Sequence, residues 1–416
     1  MWINAESFAY NFKRGEVALE YPLYIDLIIQ RLYAHGESAY IVGGSLRDVL
    51  LGVVPHDYDI ATSALPQRTA ELFSDKHVIE TGLKHGTVTV VFDGYPVEIT
   101  TFRVDGSYTD MRHPDSVSFT DDIILDLSRR DFTVNAMAFS RERGLIDPFG
   151  GREDIKKRLI RAVGDPERRF SEDALRIMRA FRFSAQLGFN IDEETLIAAK
   201  RCAGGLSLIA RERIGNEVQR LICSPDPAQA LRLMRQYGAW EYVFGDFVPS
   251  DRVLDGLSLM PRDVTARLGL FMCEAEQQQA RELLRGLRCS GKQTTGALAV
   301  ARGAVIEVGT DSDARRLISC VGIYAPLAAK ASEIIGVSHV GAYERVAREQ
   351  SKPCSVRELA VNGKDIAGLG ARGKLIGRTL DALLSLVIDD PSLNERARLL
   401  ELAKKIVNGE VENDRA

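Results

Sequence analysis

The sequence predicts an α+β protein, with an α/β head over residues 1–145 and a helical remainder. Two observations carry this. Short β-type runs separated by helical spacing fill residues 22–140, and from about residue 150 apolar side chains recur at three- and four-residue spacing with Gly or Pro between the runs. A length of 416 residues leaves room for two to four domains, and a 45% apolar composition supports packed cores.

Taken in order, residues 1–20 read as a leader strand or loop, and Leu23–Ala34 has helical spacing that ends at His35-Gly36. The predicted strands are Ala39–Val42, Asp57–Ala61, His77–Glu80, Thr87–Phe92, Val97–Phe102 and Phe132–Phe139. Asp93-Gly94 between two of them is a hairpin turn signal. Helices are predicted over Asp173–Leu187, Glu193–Cys202, Arg211–Ile222 and Pro227–Tyr237, with glycine-rich connectors near Gly286–Gly296 and Gly363–Gly377.

The densest motif is Tyr40-Ile-Val-Gly43-Gly44-Ser-Leu-Arg47-Asp48, followed by Asp57-Tyr-Asp59-Ile. Glycines permit an approach of backbone to backbone, or to phosphate, that a Cβ would block. On a strand, Asp57 and Asp59 would share one face. Paired carboxylates beside a glycine turn suit Mg²⁺ that also holds a nucleotide's phosphates. Taken alone, an Asp-x-Asp pair is more often a solvated strand end; the glycine pair and Arg47 are what favour the nucleotide reading.

In a second motif, Arg129-Arg130-Asp131-Phe-Thr-Val-Asn135, paired arginines precede a run whose polar residues alternate with apolar ones. Guanidinium groups there would reach triphosphate oxygens; the plain alternative is an Arg–Asp pair capping a strand. The third motif is Ser171-Glu172-Asp173-Ala-Leu-Arg176-Ile-Met-Arg179-Ala-Phe-Arg182. Ser171 suits an N-cap, and the acids suit a helix start. Asp173 and Arg176 are i, i+3 neighbours. A carboxylate accepting beside a guanidinium donating matches the amine and ring nitrogen of cytosine or adenine and mismatches guanine and uracil, by roughly 1–3 kcal/mol per bidentate set. In an ideal helix Arg182 lies nearly opposite Asp173, which leaves Arg179 and Arg182 to phosphates or structure.

The net charge of −4 and pI near 6.0 argue against a uniformly basic nucleic-acid binder, but arginines and lysines concentrate between Arg129 and Arg182. Such clusters are as often solvated faces. No run of about 20 apolar residues predicts a membrane span, and the N-terminus has no apolar signal region. Six scattered cysteines without C-x-x-C fit reduced thiols and a cytoplasmic location.

On these motifs the chain resembles the polymerase-β-type nucleotidyltransferases and, within them, the class II tRNA nucleotidyltransferases (CCA-adding enzymes) of the Gram-positive type. The resemblance implies a polymerase-β-like head (1–145), a base-selecting neck (146–205), a tRNA-binding body (206–290) and an elbow-binding tail (291–416). It implies tRNA, CTP and ATP as partners, with neither DNA nor a membrane, and two Mg²⁺ ions on the catalytic pair Asp57 and Asp59. Gly44, Arg47, Arg130, Asp173, Arg176, Arg179 and Arg182 would contact the nucleotide, and Glu98 is a weaker candidate for carboxylate support. Glu212-Arg213-Ile-Gly-Asn-Glu217 resembles a motif absent from bacterial poly(A) polymerases, and Arg220 stands where the family often has Lys. Thr101–Pro114 resembles the flexible loop needed for adding A, absent from enzymes that add only the two cytidines. Leu359–Ile366 and Ile376–Leu384 more loosely resemble the tail. The remaining alternatives are an enzyme adding only A, a poly(A) polymerase and a catalytically silent RNA-binding protein. With only His339 beyond His113, the chain lacks the histidines for an HD-type phosphohydrolase site. Oligomeric state is left open.

Overall fold

A computed structural model of the chain describes residues 7–10, 19–83, 86–106 and 116–409. Most of the expected Thr101–Pro114 loop therefore lies outside the described residues. The chain divides into two compact units: Met1–Leu221 with Gln229–Gly245, and Ile222–Ala228 with Asp246–Ala416. Their boundary falls within the segment expected to form the body.

In the first unit, the β1–β2 hairpin (Ser7–Tyr10, Leu19–Pro22) leads into α1 (Leu23–Ala34), whose Ile25, Ile28, Ile29 and Leu32 are buried on one face as the periodicity predicted. There follow β3 (Ala39–Val42), α2 (Gly43–Leu50), β4 (Asp59–Thr62), α3 (Pro66–Leu72), β5 (His77–Ile79), β6 (Thr87–Phe92) and β7 (Tyr95–Thr101). A small hairpin, β8 (Arg103–Asp105) with β9 (Val117–Phe119), precedes α4 (Ile123–Ser128), β10 (Ala138–Ser140) and β11 (Gly144–Ile146).

Seven strands form one sheet in the order β11-β10-β3-β4-β7-β6-β5. Only β4 and β7 pair in parallel, which sets Asp59 beside Glu98. Asp93 and Gly94 both take positive φ, 51° and 87°, as a two-residue hairpin between β6 and β7 requires. Tyr40, Val42, Ala61 and Ala138 of the sheet share a buried cluster with Phe102 and with Ile123 and Leu127 of α4.

The unit continues through α5 (Gly151–Lys157), β12 (Leu159–Ile160), α6 (Pro166–Glu172), α7 (Leu175–Leu187), β13 (Asn190–Ile191), α8 (Glu193–Cys202), α9 (Arg211–Ile222), α10 (Ala228–Gln236) and α11 (Trp240–Phe244). α8 and α9 have the predicted bounds.

The second unit is helical: α12 (Asp251–Gly256), α13 (Val264–Phe271), α14 (Gln277–Gly286), α15 (Gly291–Ala304), α16 (Asp311–Val321), α17 (Ala325–Ile335), α18 (Ala342–Glu349), α19 (Gly363–Gly368), α20 (Lys374–Asp389) and α21 (Arg396–Val407). The expected glycine-rich connectors are thus partly helix. Gly296 is inside α15 because a Cβ there would lie 2.4 Å from Thr265 and 2.7 Å from the Tyr324 ring, so glycine marks a close approach and not a loop. Asp311–Ile335 is apolar enough over part of its length to cross a membrane, but the chain turns at Gly322 (φ 58°), and Ala314, Leu317, Ala325, Ala328 and Ala329 pack into a core cluster.

Three local expectations are corrected. Asp57 precedes the strand, because β3 ends at Val42, the partner of Asp59, where Gly43 turns the chain into α2. The run Phe132–Phe139 is a single bridge from Phe132 to Ala162, a 3-10 turn at Thr133–Asn135 and then β10. Asn135 Nδ2 bonds locally to Asp131 at 3.1 Å, which favours the turn, while Thr133 Oγ1 reaches Asp154 of α5 at 2.7 Å. Ser171 is no N-cap but lies within α6, which is capped by Asp165; α7 starts only at Leu175, with Asp173 extended between the two helices (φ −144°, ψ 102°).

Candidate active site

A cavity of about 930 Å³ opens in the first unit where β3, β4 and β7 meet α2, the Arg129–Asn135 segment and α7. All nine residues that the sequence nominated line it: Gly44, Arg47, Asp57, Asp59, Arg130, Asp173, Arg176, Arg179 and Arg182. Glu98, the weaker candidate, lines it as well, and Arg129, Arg213 and Arg220 bring the arginines to eight.

The carboxylate corner is built by strand register and one glycine. Asp59 pairs with Val42 on one side and Glu98 on the other. The hydroxyl of Ser45, in the first turn of α2, accepts from Asp59 N at 3.3 Å while donating to Val42 O at 2.8 Å. Gly43 takes φ 71°, and a Cβ there would stand 3.1 Å from Arg130 Nη1 and 3.5 Å from Asp59 Oδ2. We expect Gly43→Ala to cost about 1 kcal/mol of backbone strain and to displace Arg130. Steady-state incorporation should fall roughly 10–100-fold with the fold intact, because small misplacements of positioning groups have large rate effects. Unchanged kinetics would show that the close approach is unimportant.

Burial pushes the Asp59 carboxyl up to about 6; the like charges of Asp57 and Glu98 add to the rise, and Arg130 opposes it. Such repulsion is relieved by a hard cation, and oxygen donors on adjacent elements suit Mg²⁺. Among the described residues no group of three or more His, Cys, Asp or Glu is gathered for a metal.

The arginines are held individually. Asp126, buried in α4, accepts from Arg129 at 2.7 Å and Arg130 at 3.2 Å; burial would raise its carboxyl pKa, but these two guanidinium groups hold it below the ordinary value. Asp126 was not among the nominated residues, although its i, i+3 and i, i+4 spacing to the arginine pair was a usable signal. Asp131 is buried too, yet Arg179, bonded at 2.5 and 2.7 Å, and Asn135 bring its carboxyl down to about 2. Arg47 donates to Asp48 from Nε and Nη2 and to Asn135 from Nη1, and Arg182 is bonded to Glu217 and Gln186.

Arg176 donates to Glu172 at 2.9 Å and to the carbonyls of Arg169 and Arg129, both at 3.1 Å. Asp173 accepts from Arg213 at 3.0 Å. The two thus line one cavity without pairing, each held by its own partner. Because Asp173 lies outside α7, the ideal-helix separation from Arg182 does not apply, and both reach the same cavity. Two buried donors, Arg130 Nε and Arg213 Nη1, have no hydrogen-bond partner among the described residues. Unsatisfied buried guanidinium N–H groups are costly and call for anionic or carbonyl acceptors.

The fold and this site define a nucleotidyltransferase with a poly(A) polymerase type of head. Residues 39–161 match the poly A polymerase head domain, and 188–249 match the probable RNA- and SrmB-binding site of polymerase A. A CCA-adding enzyme of Geobacillus kaustophilus is 37% identical over 382 residues, 89% of this chain and 94% of the relative; one from Leuconostoc mesenteroides is 35% identical over 391 residues, 92% and 96%. The solved CCA-adding enzyme of Bacillus stearothermophilus in complex with CTP superposes with a TM-score of 0.79 at 33% identity, covering 93% of this chain and 98% of its own. The chain belongs to the family of CCA-adding enzymes.

Proposed function

We propose that this protein adds C, C and then A to the 3′ end of tRNA, using CTP and ATP and releasing pyrophosphate, in the bacterial cytoplasm. The observation that carries the reading is one cavity lined by Asp57, Asp59, the Gly43-Gly44 turn and eight arginines. In this reading Asp57 and Asp59 hold two Mg²⁺ ions, which when bound would make the tRNA 3′-hydroxyl more acidic and neutralise the triphosphate. Gly44, Arg47, Arg130, Arg179 and Arg182 bind or orient the phosphates and sugar, with the backbone N–H groups at the start of α2 adding donors. Asp173 and Arg176 present acceptor and donor to the base, with Arg213 fixing the Asp173 carboxylate and Glu172 fixing the Arg176 guanidinium. No protein nucleophile is required; catalysis is positioning and charge neutralisation. We keep the four-part division into head, neck, body and tail as part of this proposal, with the helical parts reading RNA by shape and phosphate.

The test uses tRNA transcripts ending at the discriminator, after one C and after CC, with Mg²⁺ and single or mixed nucleotides, resolved at single-nucleotide length. Growth by three from the discriminator end, without use of GTP or UTP, is expected. Extension of only the CC-ended tRNA would make this an A-adding enzyme, long A tails a poly(A) polymerase, and no incorporation a silent RNA-binding protein.

A further inference from the structure

One aromatic ring sits among three of the cavity's arginines. Phe183, on α7, is 6% exposed and lines the cavity. The guanidinium carbons of Arg47, Arg179 and Arg182 lie 5.3, 5.2 and 3.9 Å from its ring centroid. The ring itself is braced by Phe132, edge to face at 5.8 Å and 81°. Arg47 comes from α2 and the other two from α7, so a single side chain joins arginines from two elements.

The carboxylates explain only part of this arrangement. Asp48, Asp131 and Glu217 each bond one guanidinium, which fixes one edge of each cation. Those bonds act at the guanidinium edges, and contact with the ring is a separate attraction that the carboxylates do not supply. The face of a benzene ring is electronegative and attracts cations within about 6 Å. A branched aliphatic residue of similar bulk would fill the space without that attraction. We infer that Phe183 is a positioning residue, whose ring electrons hold Arg47, Arg179 and Arg182 as one set, so that nucleotide binding depends on the electronics of the ring as well as on its volume. The inference rests on the reading that these arginines serve the nucleotide.

Fluorination separates electronics from bulk, because it withdraws charge from the ring face while changing its size little. The full-length protein carrying 4-fluoro-, 3,5-difluoro- or 3,4,5-trifluorophenylalanine at position 183, together with Phe183→Tyr, Phe183→Leu and Arg182→Gln, would be titrated with CTP by calorimetry, and each would be melted. The dissociation constant is expected to rise stepwise along the fluorine series, to about 5- to 30-fold in Phe183→Leu, with Phe183→Tyr close to the parent. If Arg182→Gln weakens CTP but the fluorine series is flat, Phe183 is only a packing residue and the inference fails. If Arg182→Gln also binds CTP like the parent, the reading of the arginines as nucleotide ligands fails, and the inference with it. A lower melting temperature in Phe183→Leu, with unchanged affinity in that variant and along the fluorine series, would likewise overturn it.

Discussion

Asp59→Asn is expected to lower nucleotide incorporation by about 10³-fold or more, while making the metal-free protein more stable at neutral pH. Both effects have one cause. In the folded chain burial, Asp57 and Glu98 raise the Asp59 carboxyl from its ordinary 3.8 to about 6, so the ionised form is less favourable folded than unfolded. The sign follows from linkage. A raised acid contributes stability that is fully present below its unfolded pKa and lost as pH rises through the folded one, here between about 4 and 6. The shift corresponds to at most ~3 kcal/mol, and partial exposure reduces this to about 1–2 kcal/mol. The amide carries no charge and escapes the loss. Denaturation in EDTA at pH 5 and pH 8 should therefore show the variant's advantage growing at the higher pH. Added Mg²⁺ should stabilise the parent and not the variant. A variant less stable than the parent at pH 8 in EDTA would show that the carboxylate corner is not a site of stored repulsion.

Asp131→Ala should have the largest effect on stability. Asp131 accepts from Arg179, from Asn135 and from the backbone N–H of Phe132, so its loss strands a guanidinium and frees the turn at Thr133–Asn135. Breaking such a pair costs about 2–4 kcal/mol, less than for a fully buried one because the Arg179 side chain is 34% exposed. A loss of roughly 5–10 °C in the first unit's melting temperature is expected. CTP affinity should fall as well, since Arg179 would lose its anchor. The pH sign is opposite to that of Asp59. A depressed carboxyl contributes stability present above its unfolded value, so the Asp131 contribution is held through neutral pH and lost only as pH falls from about 4 towards 2. Thermal melts of parent and variant at pH 7, pH 4 and pH 3 check this; the difference should hold to about pH 4 and shrink below it, and one that widened on acidification would contradict it.

The parts of the molecule legible in the sequence are those where periodicity and turn chemistry act alone. α1, α8, α9, β3 and β6 have the bounds that apolar spacing assigned, and Asp93-Gly94 turns where expected. The nominated residues do converge on one cavity, although their motifs lie more than a hundred residues apart in the chain. What spacing could not supply was competition among partners. Arg176 had two acidic neighbours in the sequence, Asp173 at i−3 and Glu172 at i−4, and the structure gives it the second. Asp173 is thereby left to Arg213, forty residues away, a pairing that no local pattern encodes. The Asp131–Asn135 turn was misread as strand for a similar reason: alternation records which side chains are polar and says nothing of whether they bond to one another.

The three-way grip of Arg176 has a mechanical consequence. Its guanidinium ties the start of α7 to α6 and to the carbonyl of Arg129, while Arg169 donates to Ser128 O, Thr133 N donates to Arg161 O, and Val163 N donates to Asp131 O. The α6–α7 segment and the Ser128–Thr133 segment are riveted together at several points, so a hinge between them would have to shear all of these bonds at once. Accommodating a purine after two pyrimidines then falls to side-chain rotation within a stiff frame, or to segments outside it, and a swivel of α7 on the head is the most expensive option.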